Sequence, residues 1–187
     1  MNKFFIISIL TLFTVGVHAQ SIKVNETDPF NGKSKIQTSA VKTSYPKGEM
    51  SMKVNDGIAY FCIMATADYV DMEEGDEAKI LFLTKENNIV ELDVESVNTG
   101  VVEKKSNIHW GFGISSGKSK QLTSLFLEAI VPVEAFEQIY TERVSIIRLI
   151  AGKTEIDIDI ASPTKNSCEN SLWRLFKITR KYIIPEE

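Results

Sequence analysis

The chain is poor in the side chains that carry most catalysis and metal chemistry. It holds 187 residues with only two histidines and two cysteines. His18 lies in the N-terminal apolar segment, so His109 is the only histidine of the remainder. A Ser–His–acid centre needs a base oriented by a carboxylate. No nucleophile-elbow pattern G-x-S-x-G accompanies His109, and no catalytic residue is assigned. One histidine and two distant cysteines, Cys62 and Cys168, do not make a zinc site, so no metal or other cofactor is expected. Net positive charge is lacking too. The formal charge is −4, which argues against generic nucleic-acid binding, where a basic footprint must displace counterions. Beyond the N-terminus no apolar run approaches the length of a membrane span.

That N-terminus is itself informative. Asn2 and Lys3 precede an apolar stretch, Phe4 to Val17, that stops at Val17-His18-Ala19. Small residues at −3 and −1 before Gln20 fit a cleaved secretory signal peptide over residues 1–19. No cysteine follows for lipid attachment, so the chain is expected to be periplasmic or extracellular and not lipidated. Cleavage leaves 187 less 19, or 168 residues, enough for a single domain with a sizeable core. An oxidising compartment admits a disulfide between Cys62 and Cys168 but does not require one.

Residues 20–35 are polar and turn-rich and read as an extended lead-in, with Phe30 tucked into the body. Strand patterning starts near Ile36, opening a single antiparallel-β domain over 36–187. Ile58–Thr66 is apolar on both alternating faces, as in a central strand covered on both sides. An acidic connection, Asp68 to Glu77, leads to a hairpin whose arms are residues 79–83 and 89–94, turning at Glu86-Asn87-Asn88. Val90, Leu92 and Val94 alternate there with Glu91, Asp93 and Glu95, giving one buried and one wet face.

The pattern returns 66 residues later without a gap. KILFLTKENNIVELDV, from Lys79, matches SIIRLIAGKTEIDIDI, from Ser145, and YFCIMA, from Tyr60, matches FLEAIV, from Phe126. The matches define approximate repeat units over 60–94 and 126–160, although two amphipathic hairpins look alike at this level by patterning alone. Pro132 to Tyr140 reads as a short helix with Phe136, Ile139 and Tyr140 on one face. A C-terminal amphipathic helix is expected over about 166–184, started by Asn166 and Glu169 and carrying the stripe Leu172, Leu175, Phe176, Thr179, Tyr182 and Ile183. The fold class is mainly β (α+β): an antiparallel sheet or β-sandwich of two similar units plus that helix.

Three local features invite a site and fall short. Gly113 to Ser119 has the wrong glycine spacing for a phosphate loop. The acids of 68–77 do not follow an EF-hand order. The cations of the last helix suit its dipole and ordinary packing. The recognition candidates are Trp110 and Phe112 on a glycine-rich loop, with His109 beside them; plugging the core is the competing role for these rings.

The segments TDPFNGKSKIQTSA, ILFLTKENNIVEL and VPVEAFEQIYTERVSIIRL together span much of the chain. In these it resembles exported β-rich proteins of unknown function from gut Gram-negative bacteria. The resemblance implies an exported β-domain and carries over no active-site residue. The expected function is a non-enzymatic binding or interaction module, its partner a protein or glycan at the cell envelope. The alternatives are a hydrolase using paired carboxylates, which needs two acids converging in a cleft, and a structural or assembly subunit, including a homodimer.

Overall fold

The computed structural model describes residues 21–30, 32–43, 48–73, 75–109, 115–160 and 166–184, of which 103–109, 115–120 and 166–167 are described by backbone alone. The segment read as a signal peptide and the loop residues Trp110 and Phe112 lie outside the described residues.

The architecture is mainly β, as the alternating patterns indicate. Ten strands and two helices follow in the order β1 Ile22–Thr27, β2 Ser34–Thr38, β3 Val41–Thr43, β4 Gly48–Asn55, β5 Ile58–Ala67, β6 Ala78–Thr84, β7 Ile89–His109, β8 Ser115–Val131, α1 Val133–Glu142, β9 Val144–Ala151, β10 Thr154–Asp159 and α2 Asn166–Arg180. All pairings are antiparallel, and they link the strands into one ten-stranded sheet in the order β1-β2-β4-β5-β8-β7-β6-β9-β10, with β3 alongside β4.

β7 belongs to two blocks. Its first residues, Ile89–Asp93, pair with β6, and from Val94 onward it pairs with β8. The register slips between Val94 and Ser96, an irregularity of the kind that bends a strand and raises its twist. The sheet therefore divides there into block A (β1 to β5, β8 and the later part of β7) and block B (the start of β7, β6, β9 and β10), whose inner faces share one core.

Period-two alternation sets which side chains enter that core. In block A these are Met50, Met52, Phe61, Ile63, Leu125 and Leu127, with Met52 opposite Phe61 and Ile63 opposite Leu127. In block B they include Ile80, Phe82, Leu92, Ile147, Leu149 and Ile158. Phe61 meets Phe82 edge-on, with ring centroids 5.1 Å apart. Phe176 of α2 lies 6.3 Å from Phe61 and 4.9 Å from Phe136 of α1, so the helices close the space between the blocks. Buried rings of this size each contribute roughly 1.5–3 kcal/mol through the water-exposed area they lose.

Both helices form where the apolar spacing puts them. α1 starts after Pro132, whose φ of −57° and ψ of 151° suit an N-cap, and it buries Phe136 and Ile139. α2 buries Cys168, Leu172, Leu175, Phe176 and Thr179. Its Glu169 binds Lys85 at 2.7 Å and Arg143 at 3.6 Å, so this carboxylate ties the helix start to the β6–β7 turn and the end of α1.

Four expectations need correction. The lead-in contains β1, a strand paired with β2. Phe30 is 98% exposed; its N–H donates to Asp28 Oδ1, and the Gly32 N–H donates to Asp28 O, so the local bonds close on Asp28 and leave the ring outside the core. β5 is central but not covered on both sides: Phe61 and Ile63 enter the core, whereas Tyr60 and Met64 stay half-buried on the outer face. Finally, the gapless 66-residue match does not preserve faces in the first arms. Ile80 is buried but Ile146 is not, and Leu149 is buried but Leu83 is not. The second arms do keep phase, Val90 with Ile156 and Leu92 with Ile158. The hairpins differ by one residue at the turn, and a one-residue slip exchanges the faces of a strand.

The β9–β10 turn is clamped by the acidic connection. Lys153 N donates to Asp71 O, Gly152 N donates to Glu77 O, and Asp71 N donates to Thr154 Oγ1. Gly152 has φ +56°, and a Cβ there would lie 2.5 Å from Asp76 Oδ2 and 2.7 Å from Asp71 O. Gly57, with φ +82°, has open space around it. Gly152→Ala is therefore expected to lower stability by roughly 2 kcal/mol or more and Gly57→Ala by about 1 kcal/mol, as read from denaturant midpoints. Equal costs at both positions would contradict the clamp.

Candidate functional site

The outer face of block A presents the most varied set of polar side chains. Strand pairing sets its layout: Ser51 stands opposite Cys62, Cys62 opposite Glu128, and Met64 opposite Phe126. Lys53, one step along β4, reaches diagonally over β5 and forms a short ion pair with Glu128. The Cys62 thiol lies beneath this pair and donates to Glu128 Oε2 at 3.4 Å. Only 3% of Cys62 is exposed although it faces outward.

Electrostatics make this thiol inert. Burial and the adjacent Glu128 carboxylate push its pKa up to about 12, against a smaller opposing effect from Lys53. A nucleophilic cysteine needs the reverse setting, with its thiolate stabilised by neighbouring positive charge. Burial alone would depress Lys53, but its bond to Glu128 and the proximity of Cys62 outweigh that, so the ammonium is held above its ordinary value. The cluster is a closed ion pair roofing a protonated thiol.

Beside it runs a groove of about 260 Å³ bordered by Gln37, Ser51, Met64 and Phe126. It shares Glu49 and Met64 with a shallower groove of about 540 Å³ that passes Thr43 and Thr66 to Val102. The combined trough has an apolar floor and edges of hydroxyl, amide and charged groups, the last from Lys23, Lys42 and Glu49.

At Val102 the trough meets the most unusual backbone feature of the fold. β5 pairs with β8 only from Thr123 to Val131, yet β7 and β8 stay paired out to His109 and Ser115. Beyond the row Ala67–Thr123–Val101 the two strands continue as a two-stranded ribbon, with no third strand alongside among the described residues. Val101–His109 spans roughly 30 Å at the rise of an antiparallel strand. His109 is the last residue of β7 and Ser115 the first of β8; the expected recognition residues Trp110 and Phe112 fall between them, outside the described residues.

Other surfaces are bordered by ion pairs and stacked rings. On the outer face of block B, Leu81, Leu83, Ile89 and Ile146 border a groove of about 190 Å³ that is flanked by the bidentate Arg148–Asp157 pair. Near the helices Trp173 stacks on Tyr140 at 5.7 Å and is covered by Arg143 at 4.5 Å, so its ring is already occupied by the protein itself. Among the described residues no group of three or more His, Cys, Asp or Glu side chains is arranged to hold a metal ion. No helix among them is long and apolar enough to cross a membrane.

Cys62 and Cys168 are not joined in a disulfide. Cys168 packs into the common core from α2, whereas alternation along β5 turns Cys62 to the opposite face. The Lys53–Glu128–Cys62 cluster went unnoticed in the sequence, although the offset of 66 had matched Cys62 with Glu128. The two matched strands pair antiparallel, and these two residues stand directly opposite each other.

Comparison with protein-family models, curated proteins and solved structures returns no match.

Iodoacetamide is expected to leave Cys62 unmodified in the folded protein at pH 8 and to label it after denaturation. Glu128→Gln should bring labelling to lower pH, because it removes the carboxylate and leaves Lys53 beside the thiol. Rapid labelling of the folded wild type would contradict the closed cluster. The raised Lys53 pKa gives the sign of a second effect. The ion pair's contribution to stability is complete below the ordinary lysine value of 10.5 and fades as pH rises through the higher folded value. Lys53→Met should therefore flatten that alkaline loss in pH-dependent denaturation; an unchanged profile would contradict it.

Proposed function

We propose that this chain is an exported, non-enzymatic binding module whose contact surface is the outer trough of block A together with the ribbon that rises from its end. The ribbon is the observation that carries this reading. An isolated two-stranded hairpin is marginally stable in water, so a long arm without a supporting strand gains its order from whatever it touches. The trough adds apolar floor and hydrogen-bonding edges, a composition suited to an extended glycan or peptide. Burial and the adjacent carboxylate keep Cys62 protonated and Glu128 is paired with Lys53, which supports binding over nucleophilic chemistry at this cluster. The apolar N-terminal segment and the resemblance to exported β-rich proteins support a partner at the cell envelope.

Replacing residues 103–120 by an Asn-Gly turn tests this reading. The shortened protein should keep its circular dichroism spectrum and melting temperature, because the core lies entirely outside the ribbon. It should lose binding to isolated envelope fractions and to an immobilised glycan panel. Trp110→Ala should weaken the same binding about tenfold, the scale of one aromatic anchor. Full binding by the shortened protein would overturn the proposal.

A further inference from the structure

Block B turns one side of its sheet to the core and the other to solvent. Pairing along β7, β6, β9 and β10 lays out the solvent side as four columns of side chains. The two outer columns are acidic. β7 contributes Glu91 and Asp93, and β10 contributes Glu155, Asp157 and Asp159, all exposed. The two inner columns are mainly apolar, with Leu81 and Leu83 on β6 beside Ile146 and Ile150 on β9, each partly exposed. Ile89, 67% exposed at the start of β7, widens the apolar floor at one end.

Two cations also stand in the inner columns, and both are drawn away from the centre. Lys79 Nζ bonds Glu91 at 2.8 Å and lies 3.8 Å from Glu77, toward the β7 side. Arg148 forms its bidentate pair with Asp157 at 2.7 and 2.8 Å and lies 3.4 Å from Glu155, toward the β10 side. These pairs act as side walls, and the groove of about 190 Å³ lies among the leucines and isoleucines that they leave uncovered. Two cations against five carboxylates give the four columns a formal charge of −3.

An apolar floor between two acidic walls is complementary to an amphipathic segment whose apolar stripe is flanked by cations. The walls stand three strand spacings apart, about 14 Å. An α-helix with its side chains is about 10–12 Å across and fits between them, whereas one extended strand would cover only about a third of that width. We propose that this face docks a cationic amphipathic helix of a partner protein, its apolar stripe on Leu81, Leu83, Ile146 and Ile150 and its lysines or arginines on the two acidic columns. The floor runs from Lys79 to Leu83 along β6, about 14 Å, which a helix of about ten residues spans. A second copy of the chain suits this face poorly, because two surfaces of −3 would oppose each other, and an anionic membrane is repelled for the same reason. The face shares no residue with the trough of block A or with the ribbon, so it is a separate contact surface.

The probe is a Leu/Lys peptide of about 18 residues with leucine at i, i+3, i+4 and i+7 spacing, compared with a Leu/Glu peptide of the same pattern and a Leu/Lys peptide of shuffled order. Titration into the isotope-labelled protein, followed by amide chemical shifts, is expected to give a Kd below about 100 µM for the patterned Leu/Lys peptide, at least about tenfold tighter than for either control. The shifts should centre on residues 79–83 and 146–150, and the bound peptide should gain helical circular dichroism. The variant D93N/E155Q/D159N keeps the floor and the Lys79–Glu91 and Arg148–Asp157 pairs but brings the four columns to zero formal charge. It should bind at least about tenfold more weakly, as should Leu81→Lys. Circular dichroism of each free variant checks that it is folded, and the charge variant, which leaves the core untouched, decides the matter if Leu81→Lys is not. No binding by the wild type at about 100 µM, equal binding of the Leu/Glu control, shifts confined to the β10 edge or to block A, or full affinity of the charge variant would each overturn the proposal. So would dimerisation of the peptide-free protein through this face in sedimentation velocity. Shortening the ribbon leaves this face intact, so either proposal can fail while the other stands.

Discussion

The contact between Phe61 and Phe82 organises this protein. The two rings belong to different blocks of the sheet, and they meet because β7 passes from one block to the other through the register slip near Glu95. A flat ten-stranded sheet would leave both rings in water. Bending at β7 turns the inner faces toward each other, and Phe136 and Phe176 fill the space that remains. Removing a ring from such a site costs about 3–5 kcal/mol, a large share of the stability of a domain this size.

The same bend determines what is left outside. The core uses one face of each strand, so the opposite faces form surfaces of quite different kinds. In block A the outer face carries the Lys53–Glu128 pair and the trough beside it. In block B it carries an apolar row bordered by ion pairs. Because β7 and β8 pair well past the end of β5, the strands that build the core also extend beyond it as an arm. A contact surface made this way can change without disturbing the packing beneath it.

Much of this was legible in the chain itself. The alternation of Val90 and Leu92 with Glu91 and Asp93 marked a half-buried strand, and the spacing of Leu172, Leu175 and Phe176 marked a helix with one buried face. What patterning could not supply was whatever depends on a single residue of register or on partners distant in sequence. Both first hairpin arms are apolar on both faces, so a gapless match looked sound although Ile80 and Ile146 face opposite ways. Likewise Cys62 read as an interior residue of an apolar strand, and its burial by Lys53 and Glu128 from the outer side depends on residues far away in sequence. The ribbon was hidden because Val101 to Ser119 lacks the apolar alternation of a core strand, as a strand pair without a sheet face to bury must.

The most direct measurement is a nuclear Overhauser experiment on the aromatic side chains. If one core spans the bend, the ring protons of Phe61 show cross-peaks to those of Phe82 and to those of Phe176. If the two blocks instead pack separately, Phe61 shows cross-peaks only within its own block, and the arrangement described here is contradicted.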